Sequence, residues 1–354
     1  MKKFNENFDE YRQATLNSDE HLHFLYCNAH YLLGLSRAAE QTLHEIEKEI
    51  GCLGRDTNAK FSRFHKGAEN ATSRFVRTAC DVLGPRGDEK NGVRAEWIAF
   101  CSHRSIKSIV TSYRNNRLNN YFEGEAALIH HKSDIVSFLK NGYLGHSNLK
   151  LESVAADAED DRLITLVLAV ALTFHNVTGP YWELLQSSIK YADVHVYIHK
   201  MTTGLRQLKE DPSDILDKNF TGIFNGKFRQ DSPTTDSVYS YFQSLKAESI
   251  VILKSALQDL FKSYLQVTER QLCDFLENGK YTELGRSTDM SISHSPLTNL
   301  LGERCFGDLD FDLYKRRHSS LHHHSTINML KRNRTGDWLS SKGTEKSAEL
   351  MKKA

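Results

Sequence analysis

Proline interrupts a helix because it lacks a backbone N–H and its ring collides with the preceding turn, so the placing of prolines limits what a chain can build. Only five occur in 354 residues, at positions 85, 180, 212, 233 and 296. The stretches between them carry apolar residues at helical spacing. Leu32, Leu35, Ala39, Leu43, Ile46 and Ile50 recur at three- and four-residue steps, one stripe of a helix whose other face carries Glu40, Glu45, Lys48 and Glu49. The same steps return at Ile250, Leu253, Leu257, Phe261 and Tyr264. A third long helix is predicted between Pro180 and Pro212, with Leu185, Ile189, Val196 and His199 sharing a side and Asp211-Pro212 as its stop. The expected fold is mainly α.

One short segment reads as a strand: Leu22, Phe24 and Tyr26 alternate with His21, His23 and Leu25 ahead of Cys27. The longest apolar run, residues 163–174, is interrupted only by Thr165 and Thr173. It falls short of the roughly 20 residues that span a bilayer and is expected to be a buried helix, with no membrane partner. The formal charge of +1 argues neither for nor against a polyanionic partner. Six cysteines without paired short spacings, and an N-terminus without an apolar signal core, point to reduced thiols in the nucleus or cytoplasm. Residues 340–354 are polar and rich in Lys and Glu, as expected of a frayed tail.

Few residues could carry chemistry. Cys27 and His30 have a spacing that could place two ligands on one metal, but a structural zinc takes four and no second pair with suitable spacing occurs. The residues themselves read as a buried cysteine and a hydrogen-bonded histidine, with no metal. Consecutive residues of a helix point about 100° apart, so His322, His323 and His324 cannot all face one ion. Glu303 follows the helix-start residues Ser295, Pro296, Thr298 and Asn299, where a carboxylate meets the helix dipole favourably. Asp308, Asp310 and Asp312 alternate and are read as a solvated helix face. The C-terminal region gathers cations at Lys315, Arg316 and Arg317 and again at Lys331, Arg332 and Arg334, which suit phosphate contacts as well as a solvated face. Arg114, Arg117, Asn119 and Asn120 cluster ahead of Tyr121-Phe122 and suit phosphate contact or helix capping. The chain has no P-loop, dinucleotide fingerprint, serine elbow or HExxH pattern.

Taken in order, several short motifs resemble transposases of the hAT superfamily. These are the helix-like opening from Lys3 to Leu16, Phe24 to His30 with Cys27 and His30, Asn116-Arg117-Leu118-Asn119, and Thr178-Gly179-Pro180-Tyr181-Trp182. Further on come Thr298-Asn299, Glu303 to Asp310, and Asn333-Arg334-Thr335 with Trp338-Leu339. The resemblance implies a large helical insertion domain beside a remnant of an RNase-H-like α/β core. Residues 1–30 would be a helix and strand of that core, 31–295 the insertion, 296–340 its C-terminal helices and 341–354 a polar tail. It makes Glu303 the last catalytic carboxylate, Cys27, His30 and Trp338 motif residues, and Arg117 and Asn119 part of a DNA-facing motif whose tryptophan is here Leu118. The two aspartates that would share metal ions with Glu303 would fall upstream of Met1. Two-metal phosphoryl transfer needs several carboxylates around its ions. The expectation is therefore a truncated or domesticated transposase-derived protein, catalytically inactive, with residual DNA binding and self-association as partner expectations. No cofactor is expected, and magnesium only if an upstream region completes the carboxylates. The alternatives are a helical protein-interaction module, or part of an active nuclease completed from upstream.

Overall fold

The computed structural model describes residues 25–64, 69–87, 93–113, 118–142, 148–229, 232–282, 292 and 295–353. Its chain divides into two compact units, residues 1–295 and 296–354. Every regular element among the described residues is helical, and no strand occurs among them. The predicted strand falls mostly outside the described residues. Its last two, Leu25 and Tyr26, are irregular. Tyr191 Oη accepts from Tyr26 N–H at 3.1 Å and donates to Tyr26 C=O at 3.2 Å, so the backbone groups a ladder would pair are satisfied by one side chain.

The first unit contains α1 (His30–Ile50), α2 (Ala71–Leu83), α3 (Arg94–His103), α4 (Asn120–His130), α5 (Lys132–Ser137), α6 (Leu149–Glu159), α7 (Asp161–Thr173), α8 (Gly179–Gln186), α9 (Val194–Glu210), α10 (Thr235–Gln243) and α11 (Ala247–Gln271). α11 lies against α1, α9 and α7, and α7 against α4 as well. Leu253, Leu257, Phe261 and Tyr264 point into this core, as their spacing predicts, and so do Leu32, Leu35, Ala39 and Leu43 of α1. α7 is buried on every side from Leu163 to Thr173, as a helix that is apolar all round should be.

The third predicted helix is broken. α8 ends at Gln186 and α9 begins at Val194, after a short 3₁₀ turn Tyr191–Asp193. The core face of α9 is Val194, Ile198, Met201 and Leu205, while Val196 is 44 % exposed. Restarting the helix at Val194 shifts its phase, so the face expected from Leu185 and Ile189 does not carry through.

Pro180, by contrast, does not stop its helix. The run Asp161–Gln186 is helical throughout and long and apolar enough to cross a membrane, but 89 % of its most apolar window is buried inside the protein, which makes it a core helix. It passes the proline through one π turn, Phe174–Thr178, where Gly179 N–H reaches Phe174 C=O. Proline cannot serve the carbonyl of Asn176 four residues back. Ile223 N–H takes that carbonyl instead, at 3.4 Å, from the loop 217–229. Gly222, at φ +74°, gives the loop the left-handed turn that brings Ile223 to that carbonyl. Asn176 Nδ2 also donates to Leu172 C=O at 2.9 Å and Tyr239 Oη at 3.0 Å.

Two polar anchors fix the other helices. Glu47 of α1 caps α2 from outside, accepting from the Ala71 and Thr72 amides and the Thr72 hydroxyl, while Asn70 accepts from Ser73 N–H at 2.7 Å. The 3₁₀ turn Gly54–Thr57 is gripped by the α6–α7 junction. Asp157 Oδ1 accepts from Arg55 N–H at 2.7 Å, Asp157 Oδ2 from Arg55 Nε at 2.8 Å, and Asp160 Oδ2 from Gly54 N–H at 2.7 Å. Arg55 and Asp157 are both buried.

The second unit comprises α12 (Leu300–Lys315), α13 (Leu321–Arg332), α14 (Thr335–Ser340) and α15 (Thr344–Lys353), each packed on the next in sequence. Its fully buried residues among those described are Leu297, Asp312 and His324. Polar contacts therefore carry much of the pairing of α12 with α13: Arg332 bonds Asp308, and Lys331 Nζ lies 4.0 Å from Asp312 Oδ2. Asp308, Asp310 and Asp312 do not form one solvated face. Residues two apart on a helix lie about 200° apart, and Asp312 is 2 % exposed while Asp310 is open to solvent.

Candidate nucleic-acid interface

Of the large apolar side chains exposed among the described residues, only Tyr26, Val196 and Val251 lie outside the second unit. α12 explains much of this. Its inner side is Cys305, Asp308, Leu309 and Asp312, yet it also carries Leu301, Phe306, Phe311 and Tyr314, so it is apolar on more sides than α13 can cover. Phe311 is 59 % and Tyr314 66 % exposed, and three residues apart they share a side of the helix.

Cations close around these rings. Lys315 Nζ lies 5.8 Å from the centroid of Phe311 and 5.9 Å from that of Tyr314, and Arg317 Cζ lies 5.5 Å from Tyr314. Lys315, Arg316 and Arg317 are exposed and have no carboxylate partner among the described residues. They stand where α12 ends, at the negative end of its dipole, which stabilises them there without a counter-ion. Trp338 of α14 repeats the arrangement, 48 % exposed with Lys342 Nζ 5.2 Å from its ring. Cations that are not spent on carboxylates, set beside open aromatic faces, can bind phosphate and base together.

The second basic cluster is occupied differently. Arg332 is bonded to Asp308 and Lys331 faces Asp312, so both contribute to joining α13 with α12. Arg334 is exposed and left-handed, at φ +48°, where it precedes the first residue of α14. Glu303 is exposed in the first turn of α12, its N–H bonded to Asn299 C=O at 3.1 Å. Of the three histidines, His322 and His323 are exposed and His324 is buried, as their turn around one helix requires.

In the first unit Cys27 is half-buried and His30, bonded through its N–H to Cys27 C=O at 3.2 Å, is exposed at the start of α1. Arg114 and Arg117 lie outside the described residues. Asn119 is 9 % exposed and left-handed at φ +58°, with its carbonyl accepting the Glu123 amide at 3.1 Å, so its place is at the entry to α4 rather than on an open surface. Sequence reasoning picked out the cations at 315–317 but passed over Phe311 and Tyr314. The signal that would have found them is an aromatic pair at i and i+3 on a helix whose opposite side already holds its packing residues. Comparison with protein-family models, with curated proteins and with solved structures gives no match for this chain.

Proposed function

We propose that this chain is a transposase-derived, nuclear or cytoplasmic DNA-binding protein that works through its second unit and does not cleave DNA by itself. The observation that carries the reading is the group of exposed, carboxylate-free cations Lys315, Arg316 and Arg317 beside the open rings of Phe311 and Tyr314. Phosphate contacts release condensed counter-ions, so affinity for DNA should fall steeply with salt. Replacing Lys315, Arg316 and Arg317 together by alanine should flatten the slope of log affinity against log salt by roughly 2–3, the loss of three phosphate contacts. Fluorescence anisotropy with labelled oligonucleotides at several salt concentrations measures this. An unchanged slope would remove the surface from consideration.

Glu303 supports binding in no evident way, because a carboxylate repels phosphate. Glu303→Ala should leave the affinity unchanged, and supercoiled plasmid incubated with the protein and magnesium should stay intact. Nicking that Glu303→Ala abolishes would replace this reading with a nuclease completed by other carboxylates.

A second reading, a helical protein-interaction module, draws on the exposed Leu301, Phe306, Leu321, Met329 and Leu330 of the same unit. Sedimentation velocity over a range of concentrations tests its simplest form, self-association.

A further inference from the structure

The aromatic side chains bear on which form of nucleic acid the surface fits, an inference that rests on the DNA-binding reading above. In a duplex the faces of the bases are covered by their neighbours, and a protein meets only base edges, sugars and phosphates. An exposed ring face gains little there. In an unpaired strand the base faces are open, and stacking on an aromatic side chain covers both surfaces at once.

We infer that the second unit binds unpaired nucleotides in preference to duplex, with bases stacked on Phe311 and Tyr314 and the phosphates between them held by Lys315, Arg316 and Arg317. Three observations point this way. The two rings are 59 % and 66 % exposed, although the chain carries α13 alongside to bury apolar surface. Three residues apart, with a rise of about 4.5 Å between them, they open on one side of α12, so a single strand can meet both. Lys315 reaches both rings and Arg317 one of them, so positive charge lies within a nucleotide's reach of each stacking surface. Stacking is tolerant of sequence because every base has a face, so little sequence preference is expected.

The test uses the full chain with a labelled 20-nucleotide oligothymidine and a duplex of the same length. The unpaired strand should bind at least tenfold more tightly at equal salt. Phe311→Ala with Tyr314→Ala should weaken unpaired-strand binding tenfold or more while leaving the salt slope unchanged, since no phosphate contact is lost. Phe311→Trp with Tyr314→Trp should restore it. These side chains are exposed, so far-UV circular dichroism should match the unaltered protein in both variants. Equal or tighter binding of duplex, or an alanine pair with unchanged affinity, overturns the inference and leaves the DNA-binding reading standing. Failure to bind either form at low salt overturns both.

Discussion

Asp157→Ala is expected to lower the free energy of unfolding by about 3–5 kcal/mol, the range seen when one partner of a buried ion pair is removed. Asp157 is 0 % and Arg55 1 % exposed. The carboxylate accepts both the Arg55 amide and the Arg55 guanidinium, so alanine would strand a buried donor and a buried charge together. The loss should spread, because the turn Gly54–Thr57 is joined to α6 and α7 through Asp157 and Asp160. Urea denaturation followed by circular dichroism measures it. Combining Arg55→Met with Asp157→Leu should recover the share of the loss that comes from the stranded guanidinium, since burying a charge pair costs about as much desolvation as its attraction returns, while the Arg55 amide, without its acceptor in either variant, keeps about 1–3 kcal/mol of the loss. A loss under about 1 kcal/mol for Asp157→Ala would mean that water reaches the pair.

The second large effect is a dependence on pH centred on Glu125. This residue of α4 is 0 % exposed, and neither carboxyl oxygen has a hydrogen bond of ordinary geometry among the described residues. Burial pushes its pKa well above the usual carboxylate range; the nearby Tyr121 hydroxyl opposes the shift, and the acidic Glu40 and Glu47 of α1 add to it. That hydroxyl is engaged with Ser73 Oγ at 2.9 Å. Cys80, Tyr113 and Tyr264, which also feel the Glu125 charge, are themselves raised by burial and offer no positive partner. Because the folded state keeps this proton where the unfolded chain has lost it, the stabilisation is complete below the unfolded value. It then falls by about 1.4 kcal/mol per pH unit until the folded pKa is passed.

Three histidines act in the opposite direction lower down, His130 among them, its pKa lowered by burial. Burial brings His175 and His131 down to about 4, so the unfolded chain takes up protons first as pH falls below the ordinary histidine value and stability is lost there. His131 Nε2 accepts the Ile109 amide at 3.1 Å, which requires the neutral ring. The Glu125 effect is therefore cleanest above about pH 6.5. Glu125→Gln should flatten the decline of thermal stability between neutral and alkaline pH, and Glu125→Leu should flatten it while raising stability at neutral pH. An unaltered pH profile in both variants would show that Glu125 ionises in the folded protein without cost.

What the sequence made legible was periodicity. Leu32 to Leu43 and Leu253 to Tyr264 line the core because residues three and four apart share a helix face, and the run from Leu163 to Thr173 is buried because it has no polar side. Hidden from the sequence were features made by partners far along the chain. The Arg55–Asp157 pair joins residues 102 apart, and no local pattern marks them as partners. Pro180 reads as a stop unless Ile223 is known to serve the carbonyl it leaves. The candidate interface divides along the same line. Lys315, Arg316 and Arg317 were legible as a run of charge, but the engagement of Arg332 with Asp308 depended on how α13 packs against α12.

The handling of Pro180 also bears on where this protein can be re-engineered. Residues 217–229 have the outward marks of a site for a peptide tag or an inserted domain: turns, solvent-exposed polar residues, and glycines at positive φ. Loops of that kind usually accept added chain. Here the loop lends a backbone donor to the interior helix beside it, so lengthening it near Ile223 would leave a carbonyl of the core unserved. Insertion tolerance in this fold is set by hydrogen bonds as much as by exposure: even at the open Gly51, with nothing within 4 Å of its missing Cβ, the flanking carbonyls of Ile50 and Cys52 accept from Arg162 of α7 and would be pulled apart by added chain.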